Sequence, residues 1–286
     1  MSDQVIPQKK NNPLSGFYRQ PKIYIKLPSS GRFYPDGSLD MSSTGDYPVF
    51  AMTAKDELMF KTPDALLSGQ STVEVIKSCI PAILDPWKMP SIDLDVCLIA
   101  IRIATYGDSM EVTSECPNCK SENEYDINLS SWLEKFVNFE YQELINHEEL
   151  KLYVRPYNYQ EVTKNTIKTF EQQRIFSIVN DENISDEEKI DKFSKSFVKL
   201  TELTVDIVAG CISRIETPTG STDDHDFIME FINNCPKDIF DKISQHITEI
   251  KETIELKPQD VVCTHCSTEY ILPITMDQSN FFAVRS

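Results

Sequence analysis

Val112-Thr-Ser-Glu-Cys116-Pro-Asn-Cys119-Lys-Ser-Glu-Asn-Glu-Tyr-Asp-Ile127 and Val261-Val-Cys263-Thr-His-Cys266-Ser-Thr-Glu-Tyr-Ile-Leu-Pro-Ile274 are two copies of one short pattern. A shift of 147 residues superposes both cysteine pairs and lays Glu122 on Glu269. Each copy reads strand, CxxC, strand, and two such knuckles supply four thiolates, the number a closed tetrahedral zinc site takes. The unusual feature is the separation, because 143 residues lie between Cys119 and Cys263. Closing a loop that long costs roughly 4 kcal/mol, whereas structural zinc contributes about 10–16 kcal/mol in finger peptides. A metal held by Cys116, Cys119, Cys263 and Cys266 would therefore clamp the two ends of a large insertion. Three readings of these cysteines compete: structural zinc, a redox pair, and metal-free thiols. Neither CxxC opens a helix after a strand, which argues against the redox pair, and four thiolates leave no open position for a catalytic zinc. His265, inside the second CxxC, reads as an exposed turn residue and not as a ligand.

Outward from the knuckles, the chain of 286 residues has 40% hydrophobic residues, enough for a real core and for one or two domains. The other cysteines, Cys79, Cys97, Cys211 and Cys235, lie in apolar helical contexts and read as small buried hydrophobes. No apolar run reaches the ~18 residues of a membrane span, and no apolar stretch follows Lys9 and Lys10 as a secretory signal requires. The net charge of -17 argues against nucleic acid as the main ligand. The first knuckle agrees, with one lysine against five acids from Ser109 to Ser131. A reducing cytoplasm, protein partners and no membrane or nucleic-acid contact are the expectation.

Local signals place the elements. A strand at 22–27 pairs with one at 47–52 around the turn-rich Pro28 to Gly37, where Gly31 and Gly37 are free to take positive φ. Thr53 caps a helix to about Lys61, and Ser71-Thr-Val-Glu74 reads as a capping box for a helix that stops near Pro81. Ser91 or Asp93 starts the helix over 94–105, apolar nearly all round apart from Asp95 and Arg102 and stopped by Gly107. Residues 150–155 alternate as a strand, 159–178 have helical spacing, and Ser185 opens a long helix to about Ile215. Gly220 to Asp224 reads as a loop, and helices follow at 226–233 and after Pro236. The last carries Ile239, Phe240, Ile243, Ile247, Ile250 and Ile254 on one stripe, so 160–255 is expected to be a helical unit. The fold class is α+β, mainly helical, with a small N-terminal β-element and a split four-cysteine zinc ribbon made of the two CxxC hairpins. The expected organisation is a flexible basic arm (1–22), an α+β core with the first knuckle (23–130), a helical insertion (131–258), and the second knuckle with a C-terminal tail (259–286).

No catalytic motif is present: there is no P-loop, GxGxxG, GxSxG or HExxH. His147, His225, His246 and His265 lie far apart in sequence, and the expectation is a protein without catalysis. Residues 1–34 carry a local +5, so the rest carries -22, and aromatics interleave with these charges. Phe17, Tyr18, Arg19, Tyr24, Arg32, Phe33 and Tyr34 are the candidate partner-binding residues, tyrosine and arginine being frequent at interface hot spots. The competing reading is that Tyr24 and Phe33 cover the protein's own core.

Several runs carry a resemblance to a known family: Ile25-Lys-Leu-Pro-Ser-Ser-Gly-Arg-Phe-Tyr-Pro35, Met52-Thr-Ala-Lys-Asp-Glu-Leu58, Lys61-Thr-Pro-Asp-Ala-Leu-Leu67, Val75-Ile-Lys-Ser-Cys79, Asp85-Pro-Trp-Lys-Met-Pro90 and Ile101-Arg-Ile-Ala-Thr-Tyr-Gly107. They resemble the baseplate hub assembly proteins of T4-type contractile-tailed phages, most strongly over 23–130. The resemblance implies a late phage protein, made in the host bacterial cytoplasm, that helps to build the central hub of the tail baseplate. Its partners would be baseplate hub proteins and its mode chaperone-like, leaving the finished virion without it. A permanent structural component of the baseplate is the alternative, and a zinc-ribbon nucleic-acid binder is disfavoured by the charge.

Overall fold

An apolar helix with few polar interruptions must sit where other elements can surround it, and the helix Ser91–Tyr106 does. The computed structural model describes residues 12–60, 69–137, 139–178, 185–254, 257–274 and 282, which carry eight α-helices and ten strands in an α+β arrangement. The first part of the chain builds β1 (Pro21–Ile25), β2 (Tyr47–Phe50), α1 (Ala54–Phe60), α2 (Gln70–Cys79), α3 (Ser91–Tyr106), the hairpin β3 (Ser109–Glu115) and β4 (Glu122–Asn128), and α4 (Ser130–Phe136). The middle builds β5 (Leu144–His147), β6 (Leu150–Val154), α5 (Tyr159–Ile178), α6 (Asp186–Gly210), β7 (Ile212–Thr217), β8 (Gly220–Thr222), α7 (His225–Asn234) and α8 (Lys237–Ile254). A second hairpin, β9 (Gln259–Val262) and β10 (Glu269–Leu272), follows.

Two hydrophobic cores result. The first surrounds α3, whose Val96, Cys97, Leu98, Ile99, Ala100 and Ile101 are fully buried against β1, β2, α2 and α4. The short α1 lies against α2 and adds Phe60 to this core. β1 and β2 pair antiparallel as expected, with Ile25 opposite Tyr47. Thr53 caps α1 reciprocally: its N–H and hydroxyl both donate to Asp56 Oδ2 at 2.8 Å, and the Asp56 N–H returns to Thr53 Oγ1. The expected end of this helix at Lys61 lies outside the described residues, as do residues 1–11 of the expected arm.

Asp93 starts no helix by capping. It sits within the first turn of α3, fully buried, and takes the Ser29 N–H (2.8 Å), the Ser29 hydroxyl (2.6 Å) and the Tyr34 hydroxyl (3.0 Å). Burial pushes its carboxyl up to about 6, with the hydrogen bonds from Ser29 and Tyr34 opposing. The turn 28–37 is thereby stapled onto the central helix. Gly31 and Gly37 both take φ +78° there, and so, unexpectedly, does Phe33 at φ +68°. That conformation costs a bulky residue about 1–2 kcal/mol, offset at Phe33 by an edge-on contact with Tyr141 at 5.1 Å.

The second core lies between a four-stranded antiparallel sheet, in the order β5-β6-β7-β8, and helices α6, α7 and α8. Here the expectation of a purely helical unit is corrected. The long helix ends at Gly210, not Ile215, and the segment beyond it is the hairpin β7–β8, which includes the expected loop at 220–222. The physical reason is a partner distant in sequence: Tyr157 donates its hydroxyl to the Ile207 carbonyl at the helix end, and a Cβ at position 210 would collide with that tyrosine. Beyond it, Ile212 and Ile215 face the core while β7 completes the ladder of β6. The capping box at Ser71 also fails to form. Gly69, at φ +76°, occupies the cap, and the buried Ser71 donates its hydroxyl to the Met59 carbonyl instead. At Ser185 the expected cap is made, its side chain accepting the Glu188 N–H.

The cores are joined where Ser91 N–H donates to the Tyr157 carbonyl (2.7 Å) and Tyr159 N–H to the Met89 carbonyl (2.9 Å), with Trp87 stacked on Tyr159. The chain then returns, and Leu272, Ile274 and Phe282 bury in the first core, Phe282 stacked on Phe60 at 4.5 Å. Truncation inside α3 should be costly: Leu98→Ala and Ile101→Ala are each expected to lower unfolding free energy by about 2–5 kcal/mol. Urea denaturation followed by circular dichroism checks this, and a loss below 1 kcal/mol would place the apolar face of α3 outside a filled core.

Candidate metal centre

The two knuckles fold in the same way, and hydrogen bonding explains why. In the first, Cys116 N–H donates to the Ser121 carbonyl (3.0 Å) and Lys120 N–H to the Cys116 carbonyl (3.0 Å). In the second, Cys263 N–H donates to the Thr268 carbonyl (2.9 Å) and Ser267 N–H to the Cys263 carbonyl (3.0 Å). The same shift of 147 residues relates every one of these groups. It also relates the left-handed Lys120 (φ +59°) to the left-handed Ser267 (φ +56°). Each tight turn closes a hairpin, β3–β4 or β9–β10, and points both of its cysteines to one side.

The hairpins bring all four sulfurs together within 4.8 Å of one another. Cys116 and Cys266 are 3.7 Å apart and Cys119 and Cys263 3.6 Å, so both contacts join one knuckle to the other. Four sulfurs around a tetrahedral ion with Zn–S of ~2.3 Å stand about 3.8 Å apart, and the cluster fits that spacing. The surroundings of the second knuckle's sulfurs fit thiolates: the His265 backbone N–H points at Cys263 Sγ (3.4 Å) and the Asn118 amide at Cys266 Sγ (3.7 Å), whereas Cys116 is pushed up to about 11. The Thr268 hydroxyl lies 3.2 Å from Cys266 Sγ, and this residue's hydroxyl and backbone hydrogen bonds hold the Cys266 thiol down at about 5. The four cysteines could thus hold a metal ion, and with the ligand shell closed by protein such a site is structural. His265 is exposed and its ring faces the Thr264 hydroxyl, away from the ligand set.

Protein contacts hold the knuckles in register beside the sulfurs. Asn123, almost fully buried, accepts both the N–H and the hydroxyl of Thr264 (2.9 and 2.8 Å) across the pair. Tyr125 donates to the Val262 carbonyl (3.0 Å) and meets the Tyr270 hydroxyl at 3.1 Å. Sequence reasoning missed Asn123, Tyr125 and Thr264. The repeat itself hides them, because the shift pairs Asn123 with Tyr270 and Tyr125 with Leu272, so the clamp is asymmetric where the ligands are symmetric.

The profile of the family described as T4 bacteriophage base plate protein matches residues 20–283, nearly the whole chain. The chain belongs to that family. No curated protein and no solved structure matches it. Membership gives this base plate protein a role in the phage baseplate among other baseplate proteins. Among the described residues, no helix is long and apolar enough to cross a membrane.

Among the described residues, the remaining four cysteines of the base plate protein lie outside the cluster. Burial pushes Cys79 and Cys211 up to about 12 and Cys97 well above its usual value, keeping them neutral. Cys235 is only half-buried, against the expectation of a core position, with its thiol directed at the Ile232 carbonyl. The candidate partner residues divide into two groups. Arg19 is spent within the molecule, on the Ala51 carbonyl, the Ser78 carbonyl and hydroxyl, and Asp56. Arg32 pairs with Glu143, Phe33 packs on Tyr141, and Tyr34 holds Asp93. Phe17, Tyr18 and Tyr24 instead face outward, 86%, 57% and 65% exposed.

Asn123→Ala is expected to lower stability by about 1–3 kcal/mol, the cost of leaving buried hydrogen-bond partners unmet. Because these bonds run from protein to protein, the loss should persist in excess chelator. Urea unfolding with and without chelator checks both points.

Proposed function

We propose that this base plate protein is a non-catalytic, chaperone-like assembly factor for the baseplate hub, its body stapled by one structural zinc ion on Cys116, Cys119, Cys263 and Cys266. The observation that carries the reading is the split sulfur cluster in a chain of this family: donors from the two ends of a 143-residue excursion converge into one closed set. A closed thiolate set holds structure and offers substrate no coordination position. Zinc, bound there, would supply folding free energy as the thiols give up their protons to become thiolates, and the knuckles would keep the first core and the returning chain in one arrangement.

The partner surface in this reading is the outward face of β1, behind its buried face. Lys22 and Tyr24 alternate outward along that strand and the exposed Lys26 follows its end, beside the exposed Phe17 and Tyr18. Basic and aromatic groups on a chain of net charge -17 form a local contrast suited to an acidic partner surface. Arg19 docks this margin to α2 and leaves its aromatics presented. Expression in the host cytoplasm during phage assembly follows from the same reading.

The test is complementation of a phage lacking the gene with the triple variant Phe17→Ala, Tyr18→Ala, Tyr24→Ala, which keeps Arg19. The variant is expected to fold with an unchanged melting curve and to fail in hub assembly, and mass spectrometry of purified virions should find no wild-type protein. Full rescue would move the partner surface elsewhere, and stoichiometric protein in the virion would make it a permanent baseplate component.

A further inference from the structure

β5 is the edge of the four-stranded sheet, and its pairing reveals which of its backbone groups are free for a partner. The Val154 N–H donates to the Glu143 carbonyl (2.7 Å), so Glu143 and Val154 form a hydrogen-bonded pair. Such pairs alternate along an antiparallel ladder. Ile145 and His147, opposite Leu152 and Leu150, therefore also face inward, while Gln142, Leu144 and Asn146 turn their N–H and C=O groups away from the sheet.

What faces that outward row is a helix, not another strand. α8 runs beside it, and two of its side chains cap carbonyls that a further strand would use: Lys242 Nζ donates to Asn146 O and His246 Nε2 to Gln142 O (2.8 Å). Between edge and helix lies a cleft in two adjoining lobes of about 480 and 360 Å³ that share His246 and Glu249. One lobe is floored by Phe136, Phe139 and Ile250, and the other runs along Leu144, itself 42% exposed. The combined space is in the range of ligand clefts.

We propose that this cleft binds an extended segment of another polypeptide, which adds to β5 as a fifth strand and sets apolar side chains at alternate positions into the lobe of Phe136, Phe139 and Ile250. The row of outward amides and carbonyls fixes the occupant, because only an extended backbone offers donors and acceptors at the matching repeat, as in other cases of strand addition. Lys242 and His246 act as exchangeable caps. Both are side-chain groups at the surface that can swing into water, so the unoccupied edge is shielded from indiscriminate pairing, as natural sheet edges commonly are. The outward-facing Leu144 N–H is the donor an incoming strand would take. The proposal rests on the assembly reading only for the source of the segment, another baseplate protein.

The experiment scans overlapping twelve-residue peptides of the phage's own baseplate proteins for binding to the purified full chain and measures the binders by fluorescence anisotropy. Leu144→Pro deletes only an outward N–H and leaves the inner ladder whole, which an edge strand tolerates. It should weaken a bound peptide about tenfold or more, as the loss of a main-chain hydrogen bond implies. Lys242→Met, which keeps the aliphatic stem and frees the Asn146 carbonyl, should tighten it. On the wild-type protein, a peptide N-methylated at alternate amides in the register that faces β5 should not bind, a result independent of whether Leu144→Pro folds. No binding peptide, or equal binding of the N-methylated one, would overturn the proposal. Neither result touches the virion and complementation outcomes that decide the assembly role.

Discussion

Four sulfur atoms within 4.8 Å of one another tie residues 116–119 to residues 263–266, and most of the architecture depends on that closure. Everything between the knuckles is an excursion: the chain leaves the first core after α4, builds a second core on β5–β8, and comes back through β9 and β10. Leu272, Ile274 and Phe282 join the first core just after the second knuckle, which sits beside the first. The entropy of closing so long a loop, roughly 4 kcal/mol, is small beside what a four-thiolate metal site contributes in isolated fingers. Asn123, Tyr125 and Thr264 add direct bonds that set the register of the two hairpins, so protein contacts position the four cysteines.

A second seam fixes the orientation of the two cores. Met89 and Ser91, at the start of α3, exchange backbone hydrogen bonds with Tyr157 and Tyr159, at the start of α5, and Arg32 reaches Glu143 nearby. The central helix is therefore anchored at its N-terminal end to the excursion, and the Asp93 staple anchors the turn 28–37 to the same end. The basic margin at β1 and the cleft at β5 are consequently carried by one framework. Two separate partner surfaces, one aromatic and basic and the other a sheet edge, would suit a protein that brings chains together.

What the sequence made legible was whatever depends on local pattern. The duplicated CxxC hairpins, the mainly apolar α3, the reciprocal cap at Thr53, the limits of α5 and the pairing of β1 with β2 all follow from short-range spacing and capping chemistry. What stayed hidden depends on distant partners. Residues 212–217 extend a plausible helix until the neighbouring edge of β6 and the Tyr157 hydroxyl beneath Gly210 are known. Ser71 looks like a cap until Met59 offers its carbonyl, and Asp93 looks like a helix start until Ser29 and Tyr34 converge on it. In the four-cysteine cluster the cysteines were legible because the repeat preserves them. The surrounding Asn123 and Tyr125 were not, because the repeat breaks at those positions. Arg19, Arg32, Phe33 and Tyr34 read as partner contacts from charge and aromaticity alone, yet each has a partner within the chain that only the fold reveals.

The measurement that bears most directly on the clamp is X-ray absorption at the zinc edge on protein expressed in zinc-containing medium and purified without refolding. One zinc per chain with a shell of four sulfurs at ~2.3 Å is the expected result. Substoichiometric zinc, or a shell in which nitrogen or oxygen replaces sulfur, would contradict a metal clamp built from Cys116, Cys119, Cys263 and Cys266.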